Sequence, residues 1–283
     1  MVQLIAHRGL RYEKPENTLP AIAAALSLPI HGVEFDVELA KDGTPVVLHQ
    51  ETVVPDANFK RVELAARDFV SRDWVIEHTS EEICNLDAGS WMLQDFAHIT
   101  VPLLKDVLAL DWGSTTAYVE LKDATYWRTE RDATRPRRVL EAALPLLATF
   151  KGKLKVISFN PEILRLLREQ APHIPTILAL WTEWRGRSAA AVEAAQRCGA
   201  FAVSLPYQVV LDDTAWITAA HTNSLEVHAY PLSPTQGDAH LQSYTPESQA
   251  PIWVALQAIG VDAITSDFAR ESLHTLPHTC ATS

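Results

Sequence analysis

Residues 32–49 read GVEFDVELAKDGTPVVLH. Apolar Val33, Phe35 and Val37 alternate with Glu34 and Asp36, so the run reads as a β-strand with both carboxylates on one face. The segment 44–49 reads as a second strand, yet only Lys41-Asp42-Gly43 separate it from the first, too few for a parallel crossover. Asp-Gly is a hairpin signal. The spacing therefore predicts a strand that overshoots the rim of a sheet, turns at Asp42-Gly43 and returns antiparallel. A turn centred there places His49 opposite Asp36.

Outward from this hairpin, short β-rich runs alternate with helical patterns along the chain. Strands are expected at 3–7, 33–37, 117–121, 155–159, 176–180, 200–205, 225–230 and 262–267, and helices at 18–28, 135–149, 161–169, 188–198, 213–222 and 251–259. Asn17-Thr18, Asn160-Pro161 and Asp213 read as helix starts. Such alternation implies crossover units around a parallel sheet. Eight of them fit a closed (β/α)8 TIM barrel better than an open sheet, here with a β-hairpin excursion after strand 2 and a small insertion before strand 3. The expectation is one catalytic domain over 1–283, with the insertion at about 51–100 and a helical tail at 79–85. A second irregular stretch, 233–250, is rich in Ser, Pro, Gln and Gly.

Composition bounds the partners. A formal net charge of -11 repels nucleic acid and anionic membranes alike, so neither is an expected partner, and a small anionic substrate needs its own local cations. No apolar run approaches the ~20 residues that span a bilayer, which argues against stable membrane insertion. The start, MVQLIAHRG, lacks the pattern of a secretory signal, so a cytoplasmic location is expected. Cys84, Cys198 and Cys280 lie far apart, without metal-site or disulfide-framework spacing.

Two carboxylates aimed into a barrel are costly unless paired or bound to a cation, whereas a solvated edge strand would leave them outward. The pair alone leaves both readings open. Glu120 adds a third acid, in AYVELK at the end of another expected strand, with Lys122 two residues on and so on the same face. Three hard oxygen ligands suit Mg2+ or Ca2+ rather than zinc. His7 ends the first strand, followed by Arg8 and Gly9, and His49 ends the returning hairpin strand. Two imidazoles beside a carboxylate-held cation make a general acid and general base pair. Arg8 and Lys122 supply positive charge for a phosphoryl group. The sequence contains no Walker loop, GxGxxG fingerprint or GxSxG elbow.

In these blocks the chain resembles the glycerophosphodiester phosphodiesterase family. The blocks are His7-Arg8-Gly9, Pro15-Glu16-Asn17-Thr18, Glu34-Phe35-Asp36-Val37, Lys41-Asp42-Gly43, Val46-Val47-Leu48-His49 and Leu86-Asp87-Ala88-Gly89-Ser90-Trp91, then Glu120-Leu121-Lys122, Ser158-Phe159-Asn160-Pro161 and Thr265-Ser266-Asp267. The resemblance implies metal-dependent hydrolysis of glycerophosphodiesters to glycerol 3-phosphate and an alcohol on a TIM barrel. By it, His7 and His49 form the acid–base pair, Glu34, Asp36 and Glu120 hold a divalent cation, and Arg8 and Lys122 bind phosphate. Tyr230 covers the alcohol or glycerol part, and Glu16 orients Arg8 from behind. The chain departs from the family at Gln50, where an Asp usually follows the second histidine, at Tyr230-Pro231, where Trp-Thr is common, and at Ser266, where Thr is usual. Two alternatives stand beside this expectation: a related diesterase acting on lysophospholipids, and a catalytically silent phosphate-ligand-binding homologue.

Overall fold

Eight parallel strands close on themselves in the computed structural model, which describes residues 2–49, 52–53, 73–123, 132–233 and 243–276. The strands are β1 (Gln3–Ala6), β2 (Gly32–Leu39), β3 (Pro45–Val47), β4 (Thr52–Val53), β5 (Asp73–Trp74), β6 (Thr116–Leu121), β7 (Lys153–Ser158), β8 (Thr176–Ala179), β9 (Ala202–Pro206), β10 (Glu226–Tyr230) and β11 (Ala263–Ser266). The order β1-β11-β10-β9-β8-β7-β6-β2 is completed by pairing of β1 with β2, so the sheet is a (β/α)8 barrel. The short pair of β4 and β5 stands apart from it. The helices are α1 (Leu19–Leu26), α2 (Ser80–Cys84), α3 (Leu104–Leu108), α4 (Arg135–Thr149), α5 (Pro161–Gln170), α6 (Ser188–Cys198), α7 (Tyr207–Asp212), α8 (Ala215–Thr222), α9 (Pro246–Ile259) and α10 (Ala269–Thr275).

Side-chain alternation sorts the strands into two layers. Val33, Phe35, Val37 and Leu39 of β2, with Ala117, Val119 and Leu121 of β6, face the helices in the main core. The opposite face points into the barrel. There Ile5, Tyr118, Ile157, Ile177, Ala202 and Ala263 pack together and fill the interior. A filled barrel has no through-channel, which leaves the loops at the C-terminal ends of the strands as the place for a site. Glu34, Asp36 and Glu38 share the inward face of β2 and are all buried, which excludes a solvated edge strand.

The hairpin forms, with one difference in register. β3 pairs antiparallel with β2 through Val37↔Val47, so Leu48, not His49, lies opposite Asp36, and Leu48 N–H donates to the Asp36 carbonyl at 3.1 Å. The cause is the loop. Ala40 N–H donates to the Thr44 carbonyl, closing three residues, and Gly43 takes φ +81°. A two-residue Asp-Gly turn would have paired Asp36 with His49; a three-residue loop with glycine in the left-handed position shifts the partner by one. Beneath the hairpin, Val46 and Leu48 pack on Val75, Ile83, Leu86 and Val101, so part of the expected 51–100 insertion forms a small apolar layer. Residues 51 and 54–72 of that stretch, and Gln50, lie outside the described residues.

Helix α9 begins at Pro246, five residues before the expected start, because Thr245 caps it reciprocally with Ser248 and Pro251 sits within the helix. The expected irregular stretch 233–250 therefore ends in helix, and 234–242 lies outside the described residues. Among the described residues, no helix is long and apolar enough to cross a membrane.

Arg135, at the start of α4, is 2% exposed and ties three pieces of backbone together at the barrel rim. Its Nη2 lies 3.4 Å from Glu38 of β2 and donates to the Leu39 carbonyl, and its Nε stands 3.9 Å from Asp123 beyond β6. Removing one member of a buried ion cluster leaves the others uncompensated, so Arg135→Met should cost about 3–5 kcal/mol of stability. A denaturant midpoint unchanged from wild type would contradict this role for Arg135.

Candidate active site

The site grows from register. In the β2–β6 pairing Asp36 stands beside Glu120 and Glu34 beside Tyr118, so inward-facing acids on adjacent strands converge at the barrel mouth. One carboxylate oxygen from each of Glu34, Asp36 and Glu120 lies within 4.8 Å of the others. The neighbouring turn supplies the cations. Arg8 sits at φ +54° and Gly9 at φ +77°, where a Cβ on Gly9 would lie 2.6 Å from the Ala21 backbone, so only glycine fits. That left-handed backbone aims the Arg8 N–H at Glu34 Oε2, 3.0 Å away.

Charge partners interlock around Asp36. Lys122 Nζ is 3.0 Å from Asp36 Oδ1 and 2.8 Å from Glu120 Oε1. Asn17, itself at φ +56°, donates to Asp36 Oδ2 at 2.8 Å and accepts from the Asp36 N–H. Arg8 Nε is 3.2 Å from Asp36 Oδ2, near enough for an ion pair though misaligned for a hydrogen bond, and Arg8 Nη1 donates to Glu16 at 2.8 Å. Glu16 is shared with Arg11, whose Nη1 in turn reaches Asp267 at 3.1 Å and Ser233 at 2.9 Å. Five carboxylates, of Glu16, Glu34, Asp36, Glu120 and Asp267, thus face three cations, of Arg8, Arg11 and Lys122. Formally two negative charges remain, which one divalent cation would cancel.

Glu34 is where that excess shows. Its Oε1 is buried with no hydrogen-bond partner. Burial first, then repulsion from Asp36 and Glu120, pushes its carboxyl well above the usual carboxylate range. Asp36 goes the other way: burial opposes its charge but is outweighed by Lys122, His49, Arg8 and the Asn17 hydrogen bond, which hold it well below that range. An orphaned buried carboxylate oxygen beside two more oxygen donors is a donor set that fits a hard divalent cation.

Both histidines border this cluster. His7 Nε2 is 3.9 Å from Glu34 Oε2, while its Nδ1 is 2.5 Å from Asp267 Oδ1. Asp267 also accepts from Ser233 and Tyr244. Burial, then the charge of Arg8, lowers the His7 pKa against the pull of Asp267. The chain leaves β3 after Val47, and His49 comes close enough to the cluster that burial, then Arg8 and Lys122, hold its imidazole well below the ordinary value while Asp36 acts in the opposite sense. Tyr230 ends β10 with its hydroxyl donating to the Leu180 carbonyl, and Glu120 is among the charges that disfavour its ionisation.

All nine residues singled out in the sequence, His7, Arg8, Glu16, Glu34, Asp36, His49, Glu120, Lys122 and Tyr230, therefore lie at the same mouth of the barrel. Arg11, Asn17, Ser233, Tyr244 and Asp267 belong to the network and were not singled out as site residues. Asp267 had a readable signal. A closed barrel seats the last strand beside the first, and the register Ala6↔Ser266 places the next residues, His7 and Asp267, side by side.

The model of the glycerophosphoryl diester phosphodiesterase family matches residues 7–271. The chain is 31% identical over 172 residues to a glycerophosphodiester phosphodiesterase of Caldanaerobacter subterraneus subsp. tengcongensis, covering 60% of this chain and 63% of that protein. It is 30% identical over 178 residues to a glycerophosphodiester phosphodiesterase of Bacillus altitudinis, covering 62% and 64%. The matched stretch spans less than two thirds of the length of either relative. In fold the chain is similar to an Oleispira antarctica phosphodiesterase solved with its product sn-glycerol-3-phosphate, with TM-score 0.72 and 20% identity over 96% of this chain and 95% of the other.

Proposed function

As the chain belongs to the glycerophosphoryl diester phosphodiesterase family, we propose that it hydrolyses glycerophosphodiesters to glycerol 3-phosphate and an alcohol, with Glu34, Asp36 and Glu120 holding a divalent cation, Mg2+ or Ca2+. The observation that carries this reading is the buried Glu34 oxygen left without a donor beside two further carboxylates and two histidines. When bound, such a cation supplies charge neutralisation to the non-bridging phosphoryl oxygens.

The chain's own residues do the rest. Arg8 spends Nη1 on Glu16 and Nε on Asp36, and the remaining guanidinium nitrogen is the one offered to the phosphate. Lys122, kept charged by Asp36 and Glu120 against the cost of burial, adds a second positive contact. Of His7 and His49, one takes the proton of the attacking group, either water or the substrate's own 2-hydroxyl, and the other returns a proton to the departing alcohol oxygen; by the second route water then opens the cyclic phosphate to glycerol 3-phosphate. Asp267 fixes the His7 tautomer with the proton on Nδ1, leaving Nε2 toward Glu34 and the mouth, and stabilises the imidazolium that forms. Tyr230 stands against the organic part of the substrate.

Asp267→Asn keeps the shape but not the charge, so kcat should fall by about a hundredfold or more, with the acid limb of the pH–rate profile displaced. An unchanged kcat would remove Asp267 from the mechanism. The function itself is tested by a panel of glycerophosphodiesters, lysophospholipids and phosphomonoesters. Release of glycerol 3-phosphate from the glycerophosphodiesters supports the proposal; cleavage of monoesters alone would refute it. Half-exposed Tyr12 and Trp181 on loops at the mouth favour, as a second reading, a diesterase for lysophospholipids, which the same panel separates.

A further inference from the structure

Asp267 takes part in more hydrogen bonds than one imidazole requires, and they divide between its two oxygens. Oδ1 faces His7 Nδ1 at 2.5 Å and accepts from Arg11 Nη1 at 3.1 Å. Oδ2 accepts from two hydroxyls instead, Ser233 at 2.5 Å and Tyr244 at 2.8 Å. Both hydroxyls belong to one connection of the barrel: Ser233 stands three residues beyond the end of β10, and Tyr244 two residues before the start of α9. The Tyr244 ring is itself held in place, packing on Phe268 at 5.2 Å between centroids, while Phe268 meets Tyr12 at 4.6 Å and Trp253 at 6.3 Å. Burial, then the charge of Asp267, pushes the Tyr244 pKa up, so the phenol keeps its proton and stays a donor.

The backbone beside Asp267 is pinned as well, since Ser266 Oγ accepts from the Phe268 N–H at 3.1 Å. What freedom remains is rotation of the carboxylate, whose terminal torsion is broad and roughly two-fold. The bonds of His7 and Arg11 both fall on Oδ1 and leave Oδ2 free to swing; two hydroxyls on Oδ2 close that freedom. Hydroxyls are neutral, so they hold the carboxylate without cancelling the charge that His7 uses.

We propose that Tyr244 and Ser233 are positioning residues for the hydrolysis, acting through Asp267: they lock the plane of its carboxylate so that Oδ1 stays in line with His7 Nδ1 and Nε2 stays aimed at the mouth. This rests on the hydrolase reading above and adds two residues to its machinery. In this role neither hydroxyl touches the substrate, so their loss should appear in kcat and not in KM.

Tyr244→Phe keeps the ring and its packing and removes only the hydroxyl. It should lower kcat for a glycerophosphodiester by about tenfold, the scale of one hydrogen bond to a charged group, with KM within about twofold of wild type. Ser233→Ala should act alike, and Ser233→Thr, which restores a hydroxyl, should recover most of the loss. Introduced into the Asp267→Asn protein, Tyr244→Phe should change kcat by less than about twofold, because the group through which it acts is already disabled. The same geometry can be read without turnover from the His7 Nδ1 proton, whose NMR resonance lies far downfield in so short a bond to a carboxylate and is identified by its loss in His7→Ala. That resonance should move upfield in both Tyr244→Phe and Ser233→Ala.

An unchanged kcat in both single variants, or a loss that persists in full on top of Asp267→Asn, overturns the positioning role and leaves the hydrolase reading intact. If the wild-type protein cleaves no diester, the hydrolase reading falls instead and the resonance decides alone: unmoved in both variants, it overturns the lock.

Discussion

His49→Ala and His7→Ala should each lower turnover of a glycerophosphodiester by about a hundred- to ten-thousandfold, the range general acid–base groups contribute, while divalent-cation affinity stays within a few-fold of wild type. The separation of effects is the point. Among the described residues, the carboxylate oxygens that converge belong to Glu34, Asp36 and Glu120, and neither imidazole is needed to complete that set. His7 meets the cluster only at 3.9 Å from Glu34, and its short bond runs the other way, to Asp267. Removing it frees Asp267 to its remaining partners Arg11, Ser233 and Tyr244 and does not strand a charge. Single-turnover kinetics and a cation titration on the same preparations check both halves. Near-normal turnover in either variant would end the acid–base assignment.

Glu34→Gln and Asp36→Asn should act on stability with opposite signs, although both weaken cation binding by more than about a hundredfold, beyond what loss of an outer-shell partner costs. The Glu34 carboxyl is raised in the folded state by burial and by two neighbouring acids, so at neutral pH it works against folding, and its neutral amide should stabilise the cation-free protein. Asp36 has the reverse sign. Its depressed folded pKa gives stability that is present above the ordinary carboxylate pKa and lost only as pH falls through the folded value. Asp36→Asn takes from Lys122 and Arg8 a buried counter-ion and should cost about 3–5 kcal/mol. Thermal melts of cation-free protein read the signs directly. Added Mg2+ or Ca2+ should raise the wild-type midpoint and leave Glu34→Gln nearly unmoved.

The barrel was legible because its strands are short runs of β-branched and aromatic residues separated by clear helix starts, and two helices, α4 and α6, keep the boundaries their periodicity implies. What escaped is local and explicable. Leu104–Leu108 is a five-residue helix, too short to display a helical period, and Tyr207–Asp212 follows directly on β9 with no cap to announce it. The expected start at Pro251 lies inside α9, whose first-turn proline is Pro246. At the site, residues inside one motif were readable from spacing. Partners brought together by closure of the barrel, such as Asp267 with His7 across 260 positions, carry no local pattern. Glu38 continues the Glu34–Asp36 alternation, but its partner is Arg135 of a distant helix, against which it is wholly buried, and no local spacing announces that pair.

The most direct measurement is turnover of glycerophosphocholine by protein stripped of divalent ions and then titrated with Mg2+ or Ca2+. Three acids that leave an oxygen of Glu34 unpartnered predict negligible activity in the stripped protein and saturable recovery that Glu34→Gln shifts to far higher cation concentration. Full activity in the stripped protein, insensitive to either ion, would contradict the account.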